Sequence, residues 1–253
     1  MPLPTHDYEP TESSVPWAAL IDAGHEVVFA TPDGNPARAD LRVVTGRGFV
    51  FWRPFLQTRP HARELCAEME RSDAFQHPLT YEEVDPDAFD GLILTGGHAP
   101  GMRSYLDAAA IQETVVAHMK ARKPVGAICH GVLVAARARD PETGRSVLHG
   151  RKTTSLLRTQ ELSAWGMTTL WLGDYYRTYP KTVQAEVTEA LASAADFVPG
   201  PFSIRRETPS RPDVGFTVRD GNYLSARFFV DSYRFAREFV TMLAELERRA
   251  GPA

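Results

Sequence analysis

Cys66 and Cys129 are the two thiols in the 253 residues, and their surroundings differ. Cys129 closes the apolar run Val125-Gly126-Ala127-Ile128 and leads through His130-Gly131 directly into the helical pattern Val132–Arg139. A residue at such a strand-to-helix junction sits on a sharp turn above the carboxyl edge of a sheet, where ligands bind in open α/β folds. The amides and dipole at the start of the next helix favour a thiolate, so the pattern predicts a lowered thiol pKa and a cysteine nucleophile. Gly126 and Gly131 are the small residues that a crowded elbow needs. The alternative is a buried structural cysteine, and the elbow position with an adjacent histidine weighs against it. Cys66, between Leu65 and Ala67 on a helix face, reads as core. The eight histidines show no His-x-x-x-His spacing and the cysteines no Cys-x-x-Cys pair, so no metal is assigned.

The elements that must carry these residues alternate between strand and helix. A dense helical pattern over Val15–Ala23 stops at Gly24, and the β-branched run Glu26–Ala30 ends in the turn Thr31-Pro32-Asp33-Gly34. The strand expected before this helix is reduced to Met1–Pro4, either very short or cut by the recorded start, with His6-Asp7-Tyr8 following it to the cleft edge. Arg59–Ser72 is helical. Phe89–Thr95 reads as a strand covered on both faces and ends in Gly96-Gly97-His98. Helical Ala108–Ala121 precedes the Cys129 strand. Short strands are expected at Arg151–Thr154 and in a hairpin of Phe216–Arg219 with Tyr223–Ala226 across Asp220-Gly221-Asn222. Leu162–Leu191 is helix-prone, Pro199-Gly200-Pro201 and Pro209–Pro212 mark loops, and Ser232–Arg248 is amphipathic. Such alternation predicts a single α/β domain over 1–253: a three-layer sandwich with a mostly parallel central sheet, added helices, and insertions near 35–80 and 160–210.

Composition narrows the partners. Lys and Arg number 28 against 32 Asp and Glu, a net charge of −4, which leaves no basic field for a phosphate backbone; nucleic acid is not expected. No run of about 18 apolar residues occurs and the N-terminus carries no secretion signal, so neither membrane nor export is expected. Two distant cysteines cannot build a disulfide framework, which fits a reducing cytoplasm.

Several blocks together resemble the ThiJ/PfpI superfamily, related to class I glutamine amidotransferase domains. They are Ala127-Ile128-Cys129-His130-Gly131, Glu12-Ser13-Ser14-Val15-Pro16, Ala23-Gly24-His25-Glu26-Val27 with Ala30-Thr31-Pro32-Asp33-Gly34, and Gly91-Leu92-Ile93-Leu94-Thr95-Gly96-Gly97-His98. They stand in the family's order over roughly residues 1–155. Leu170–Asp174, Thr217–Arg227 and the last helix look like the larger branch of chaperones with glyoxalase III activity. The resemblance implies a flavodoxin-like fold with Cys129 as nucleophile and no cofactor. Glu12 matches the acid that hydrogen-bonds the sulfur; by residue type alone, Thr11 and Glu12 are equally a helix start. Gly96 and Gly97 match the turn that, with the His130 amide, forms an oxyanion hole. His130 matches the histidine after the nucleophile, or it caps the helix. His98, Pro100 and Gly101 are expected in the cleft wall, with His98 a candidate substrate contact and Arg158 another at the cleft edge. Where the family's third acid belongs, this chain reads Thr153-Thr154-Ser155-Leu156-Leu157-Arg158-Thr159-Gln160-Glu161. Glu161 is the nearest acid, and a dyad of Cys129 and Glu12 assisted by His130 is the expected machinery.

Three functions are compatible with this pattern. One is a cysteine enzyme acting on small carbonyl compounds in the manner of glyoxalase III or a deglycase. The second is a cysteine hydrolase of amide or peptide bonds, and the third a stress chaperone or redox sensor without turnover. The resemblance also implies a homodimer.

Overall fold

The computed structural model describes residues 1–201, 207–208 and 210–250. Its strands are β1 (His6–Tyr8), β2 (Ala30–Thr31), β3 (Arg38–Ala39), β4 (Leu79–Thr80), β5 (Leu92–Leu94), β6 (Val125–Ile128), β7 (Thr217–Asp220) and β8 (Tyr223–Ala226). Between them lie α1 (Pro10–Asp22), α2 (Leu41–Thr45), α3 (Arg53–Leu56), α4 (Pro60–Arg71), α5 (Asp73–Gln76), α6 (Arg103–Leu106), α7 (Ala109–Lys120), α8 (Gly131–Arg137), α9 (Arg158–Leu172) and α10 (Val183–Ala190), and α11 (Ser232–Ala250) comes after the last strand.

β5, β6 and β8 run parallel in the order β5-β6-β8, and β7 returns antiparallel on β8 through the expected Asp-Gly turn. β1 pairs with β3 and β2 with β4, both parallel. Leu94, Val125, Ala127, Ile128, Tyr223 and Leu224 are fully buried, as continuous apolar runs predict for strands covered on both faces. Phe235 and Phe239 of α11 close over Gly126, while α7 and α8 pack on the sheet from the other side. Each such fully buried aromatic side chain contributes about 1.5–3 kcal/mol of transfer free energy.

Several boundaries differ from those expected of the sequence. The first formal strand is His6–Tyr8 itself, and residues 1–3 lie beside Val28–Ala30 through Leu3 N to Ala30 O at 2.8 Å. The run Glu26–Ala30 keeps strand geometry only at its end, and Arg151–Thr154 is reduced to one bridge, Thr153 to Phe197. The first helix starts at Pro10, before Thr11 and Glu12, because Glu9 is the cap: its carboxylate accepts the Glu12 amide at 2.7 Å. Leu162–Leu191 divides into α9 and α10, broken at Gly173. Residues 202–206 and 209, which fall in the second expected insertion and its proline loop, lie outside the described residues. Among the described residues, no helix is long and apolar enough to cross a membrane.

Candidate active site

Cys129 stands one residue beyond β6, its amide still paired to Ala226 O of the β8 edge at 3.2 Å. Its φ of +58° is the left-handed turn of an elbow, held in a non-glycine residue at a cost of order 1–3 kcal/mol. The start of α8 forces this turn. Gly131 begins that helix so close to β5 that a Cβ would overlap the carbonyl oxygens of Leu94 and Thr95. The chain must therefore pivot at Cys129, and the sulfur is thrown onto the carboxyl edge of the sheet.

Glu12 arrives there from the first turn of α1 and is fully buried. Gly96 lies between the two groups: a Cβ on it would stand 2.7 Å from Cys129 Cβ, 2.7 Å from Glu12 Oε2 and 2.8 Å from the His130 amide nitrogen. Only glycine leaves these three in mutual contact. Burial holds the Glu12 carboxyl well above the usual carboxylate range and the neighbouring Glu9 charge adds to this, while the Cys129 thiol and the Gly96 and Phe229 amides pull partly back. Neither Glu12 oxygen has a partner at full hydrogen-bonding geometry, so the interaction with the thiol is close contact and field more than a formed bond. Burial and the Glu12 charge likewise push the Cys129 thiol well above its ordinary value, which the His130 amide only partly offsets. This corrects the expectation of a lowered thiol pKa. The helix start supplies one amide, whereas the desolvated site and its facing carboxylate act in the opposite direction. A neutral Glu12 removes the charge that opposes the thiolate.

His130 comes next, with its Nδ1 at 3.6 Å from the sulfur. Its ring meets His98 edge to face at 4.7 Å, and His98 in turn faces Tyr176. Burial holds both imidazoles neutral at pH 7, His98 pushed down to about 4 and His130 well below its usual range, with His98 and Arg137 adding to the latter. Beyond His98 opens a cavity of about 60 Å³, lined by Asp7, Asp40, Phe49, Gly97, His98 and Tyr176 among others. Cys129 and His130 are not in its wall; His98 stands between the cavity and the thiol. Asp7, at φ +77°, accepts the Gly101 amide at 3.0 Å and fastens the Gly97–Gly101 loop to β1. Asp40 caps α2 and accepts from Tyr176 Oη at 2.8 Å, and burial raises its carboxyl to about 6.

A family model described as ThiJ/PfpI family-like matches residues 3–201. The chain belongs to the ThiJ/PfpI-like family. A deglycase of Pyrococcus abyssi is 30% identical over 241 residues, 95% of this chain and 96% of that one. Deglycase PfpI of Pyrococcus furiosus is 26% identical over 241 residues, with the same two shares. Among solved structures, glyoxalase III from Candida albicans superposes with a TM-score of 0.66 at 19% identity, covering 94% of each chain. The rapid encystment protein of Francisella tularensis gives 0.68 at 16% identity, over 94% of this chain and 96% of that one. These likenesses establish the flavodoxin-like fold.

In this ThiJ/PfpI-like chain the structure gathers Cys129, Glu12, His130, Gly96 and His98 around one sulfur, with Gly97 in the cavity wall. It does not bring Glu161 to His130. Glu161 is buried, but it accepts the Val183 amide at 2.8 Å and faces Arg177 at 3.4 Å, which ties α9 to the start of α10. His130 Nε2 has no partner among the described residues, so no third acid orients it there. Arg158 opens α9, its amide bonded to Gln184, outside the cavity wall. Of the N-terminal trio, Asp7 reaches the cavity, His6 is exposed, and Tyr8 turns inward to bond Glu70 at 2.7 Å. Cys66 packs beneath Tyr8 with its thiol raised to about 12 by burial, the inert state expected of it. Glu9, Asp40 and Tyr176 went unread from sequence. An acid directly before Pro10 at a helix start was a legible cap for Glu9, whereas Tyr176 sits in a segment whose pattern carries no local signal.

Proposed function

We propose that the protein is an enzyme of small carbonyl compounds, glyoxalase III-like or deglycase-like, that works through Cys129 and needs no cofactor for the step. The observation that carries this reading is Glu12 against Cys129 at a strained elbow, a buried carboxyl held neutral beside a thiol that its charge would oppose. With Glu12 protonated, the Cys129 thiol passes its proton to neutral His130, whose Nδ1 lies 3.6 Å away, as the sulfur attacks an aldehyde carbon. The C=O π bond becomes an alkoxide facing the His130 amide and the Gly96-Gly97 turn, then takes a proton to give a hemithioacetal. Glu12, ionised after giving its proton to the alkoxide, or His130, neutral again once it has done so, removes the proton from that carbon to give an enediolate; the second oxygen gains a proton, and as one is returned to the neighbouring carbon the first oxygen loses its own and becomes the C=O. The product is a thioester, which water hydrolyses to a 2-hydroxy acid and free thiol. Starting from methylglyoxal, the net change adds one water and yields lactate, with no external oxidant.

The size of the cavity supports a small substrate over a peptide. At roughly 10–15 Å³ per water-sized group, 60 Å³ holds about four to six such groups, the scale of a three-carbon dicarbonyl. Because His98 separates that space from the sulfur, its ring must swing aside as substrate enters. The names of the deglycase relatives agree with carbonyl chemistry. The test is lactate formation from methylglyoxal by the wild type, Cys129→Ala and Cys66→Ala. Turnover in the wild type and Cys66→Ala, abolished in Cys129→Ala, supports the reading; equal turnover in all three, or none in the wild type, removes it. Release of product from amide substrates instead would move the assignment to a hydrolase, and peroxide-driven sulfinic acid at Cys129 without turnover would move it to a redox sensor. The homodimer belongs to the same proposal, and sedimentation equilibrium tests it.

A further inference from the structure

We infer that His98, Cys129 and His130 form a three-ligand site for a thiophilic divalent cation, Zn²⁺, which competes with the carbonyl substrate for the same sulfur. One ring nitrogen of each histidine and the Cys129 sulfur lie within 4.8 Å of one another. Ligands about 2.0–2.3 Å from a tetrahedral zinc stand some 3.3–3.8 Å apart, so the trio closes on an ion by about 1 Å, the scale of a rotamer adjustment. The Cys129 to His130 Nδ1 separation of 3.6 Å already falls in that range.

The state of the two imidazoles points to a ligand independently of the cluster. Here His130, 1% exposed, turns Nδ1 to the sulfur, and the buried Nε2 of His98, whose ring meets that of His130, is unpartnered. Neither nitrogen is committed to a protein acceptor other than the sulfur among the described residues, and both rings face it. Imidazole and thiolate are the donor set that zinc prefers, and three protein ligands leave a fourth position open for water. Glu12, whose oxygens are also unpartnered, adds a carboxylate beside the sulfur. The charges then balance: Zn²⁺ against one thiolate and one carboxylate, with two neutral imidazoles. As the Zn–S bond forms the S–H bond breaks, Glu12 gives up the proton it holds in the metal-free site, and both protons pass to solvent. Local sequence spacing could not reveal the site, because His98 comes from the turn after β5 and the other two from the elbow after β6.

Binding by itself does not depend on the function proposed above; competition with substrate rests on it. The full chain, stripped with chelator, is titrated with Zn²⁺ by calorimetry and with Co²⁺ by absorption. We expect one tight Zn²⁺ per chain and a thiolate-to-Co²⁺ charge-transfer band in the near ultraviolet. Cys129→Ser should lose the band, His98→Gln should weaken binding at least about tenfold, and His77→Gln, which removes an exposed histidine, should change neither. At free Zn²⁺ ten times its Kd, carbonyl turnover falls about tenfold and returns with chelator. Absence of the charge-transfer band, or Zn²⁺ affinity unchanged in both Cys129→Ser and His98→Gln, overturns the inference and marks adventitious surface binding. A band in a protein that turns over no carbonyl would keep the metal site and reject the enzymatic reading. Turnover without a band does the reverse.

Discussion

The Glu12 charge makes Cys129 harder to ionise while the Cys129 thiol eases the ionisation of Glu12, and this asymmetry determines what substitution there will do. Folded Glu12 holds its proton more tightly than the unfolded chain does, so its contribution to stability is complete below the ordinary value of 4.5 and declines as pH rises toward the folded value. Glu12→Gln replaces the group with an isostere that is never charged. It should flatten this decline, raising the urea midpoint at neutral and alkaline pH, while turnover falls by about 10²–10⁴-fold. A variant less stable than the wild type at alkaline pH would contradict the buried, proton-holding role. Proton transfer through Glu12 or His130 also predicts that lactate formed in D₂O carries deuterium at its second carbon; its absence would indicate a direct hydride shift. At this scale the elbow at Cys129 was readable, since the run Val125–Ile128 ending in Cys129-His130-Gly131 needs no distant information. The direction of the thiol shift was not. It depends on burial and on a carboxylate delivered from α1, and neither appears in the residues around Cys129.

Among the elements, the contact that fixes the elbow is the start of α8 against the end of β5. Gly131→Ala would drive a Cβ into two backbone oxygens that cannot move aside as a side chain could. It should cost roughly 1–3 kcal/mol in chemical denaturation and alter the rate at which Cys129 reacts with a disulfide reagent. Unchanged stability together with unchanged reactivity would mean that the elbow is not held in this way. The strands of the core were legible because buried parallel strands read as unbroken apolar runs, and the β7–β8 hairpin because Asp-Gly favours its turn. Edge pieces were not: Glu26–Ala30 and Arg151–Thr154 have strand-forming residues but few partners to pair with, so tertiary context shortened them. The cap at Glu9 moved the start of α1 forward and, with it, brought Glu12 inside the helix.

Across the whole molecule, two segments far apart in sequence meet over the site. Asp40, Val43, Phe49 and Leu56 come from one of these segments and Ala164 and Tyr176 from the other, and they form the cavity's outer wall. Phe49 and Tyr176 pack with Ala99 in a small cluster separate from the main core, while Phe51, Phe55 and Leu170 remain exposed. Short helices and few buried apolar contacts predict low local stability, so hydrogen exchange over residues 41–56 should be much faster than in β6 and β8. Equal protection in both regions would rule out a wall that opens to admit substrate. Segments of this kind could not be interpreted from sequence, because their contacts are to each other and not to a repeating pattern. The central claim is that substrate carbon becomes bonded to one particular sulfur, and acid-quenched reaction with methylglyoxal followed by peptide mass mapping tests it most directly. We predict an early adduct of one substrate mass on the Cys129 peptide of the wild type, accumulating in Glu12→Gln and absent in Cys129→Ala. Adducts confined to Cys66, lysine or arginine while lactate still forms would contradict the claim.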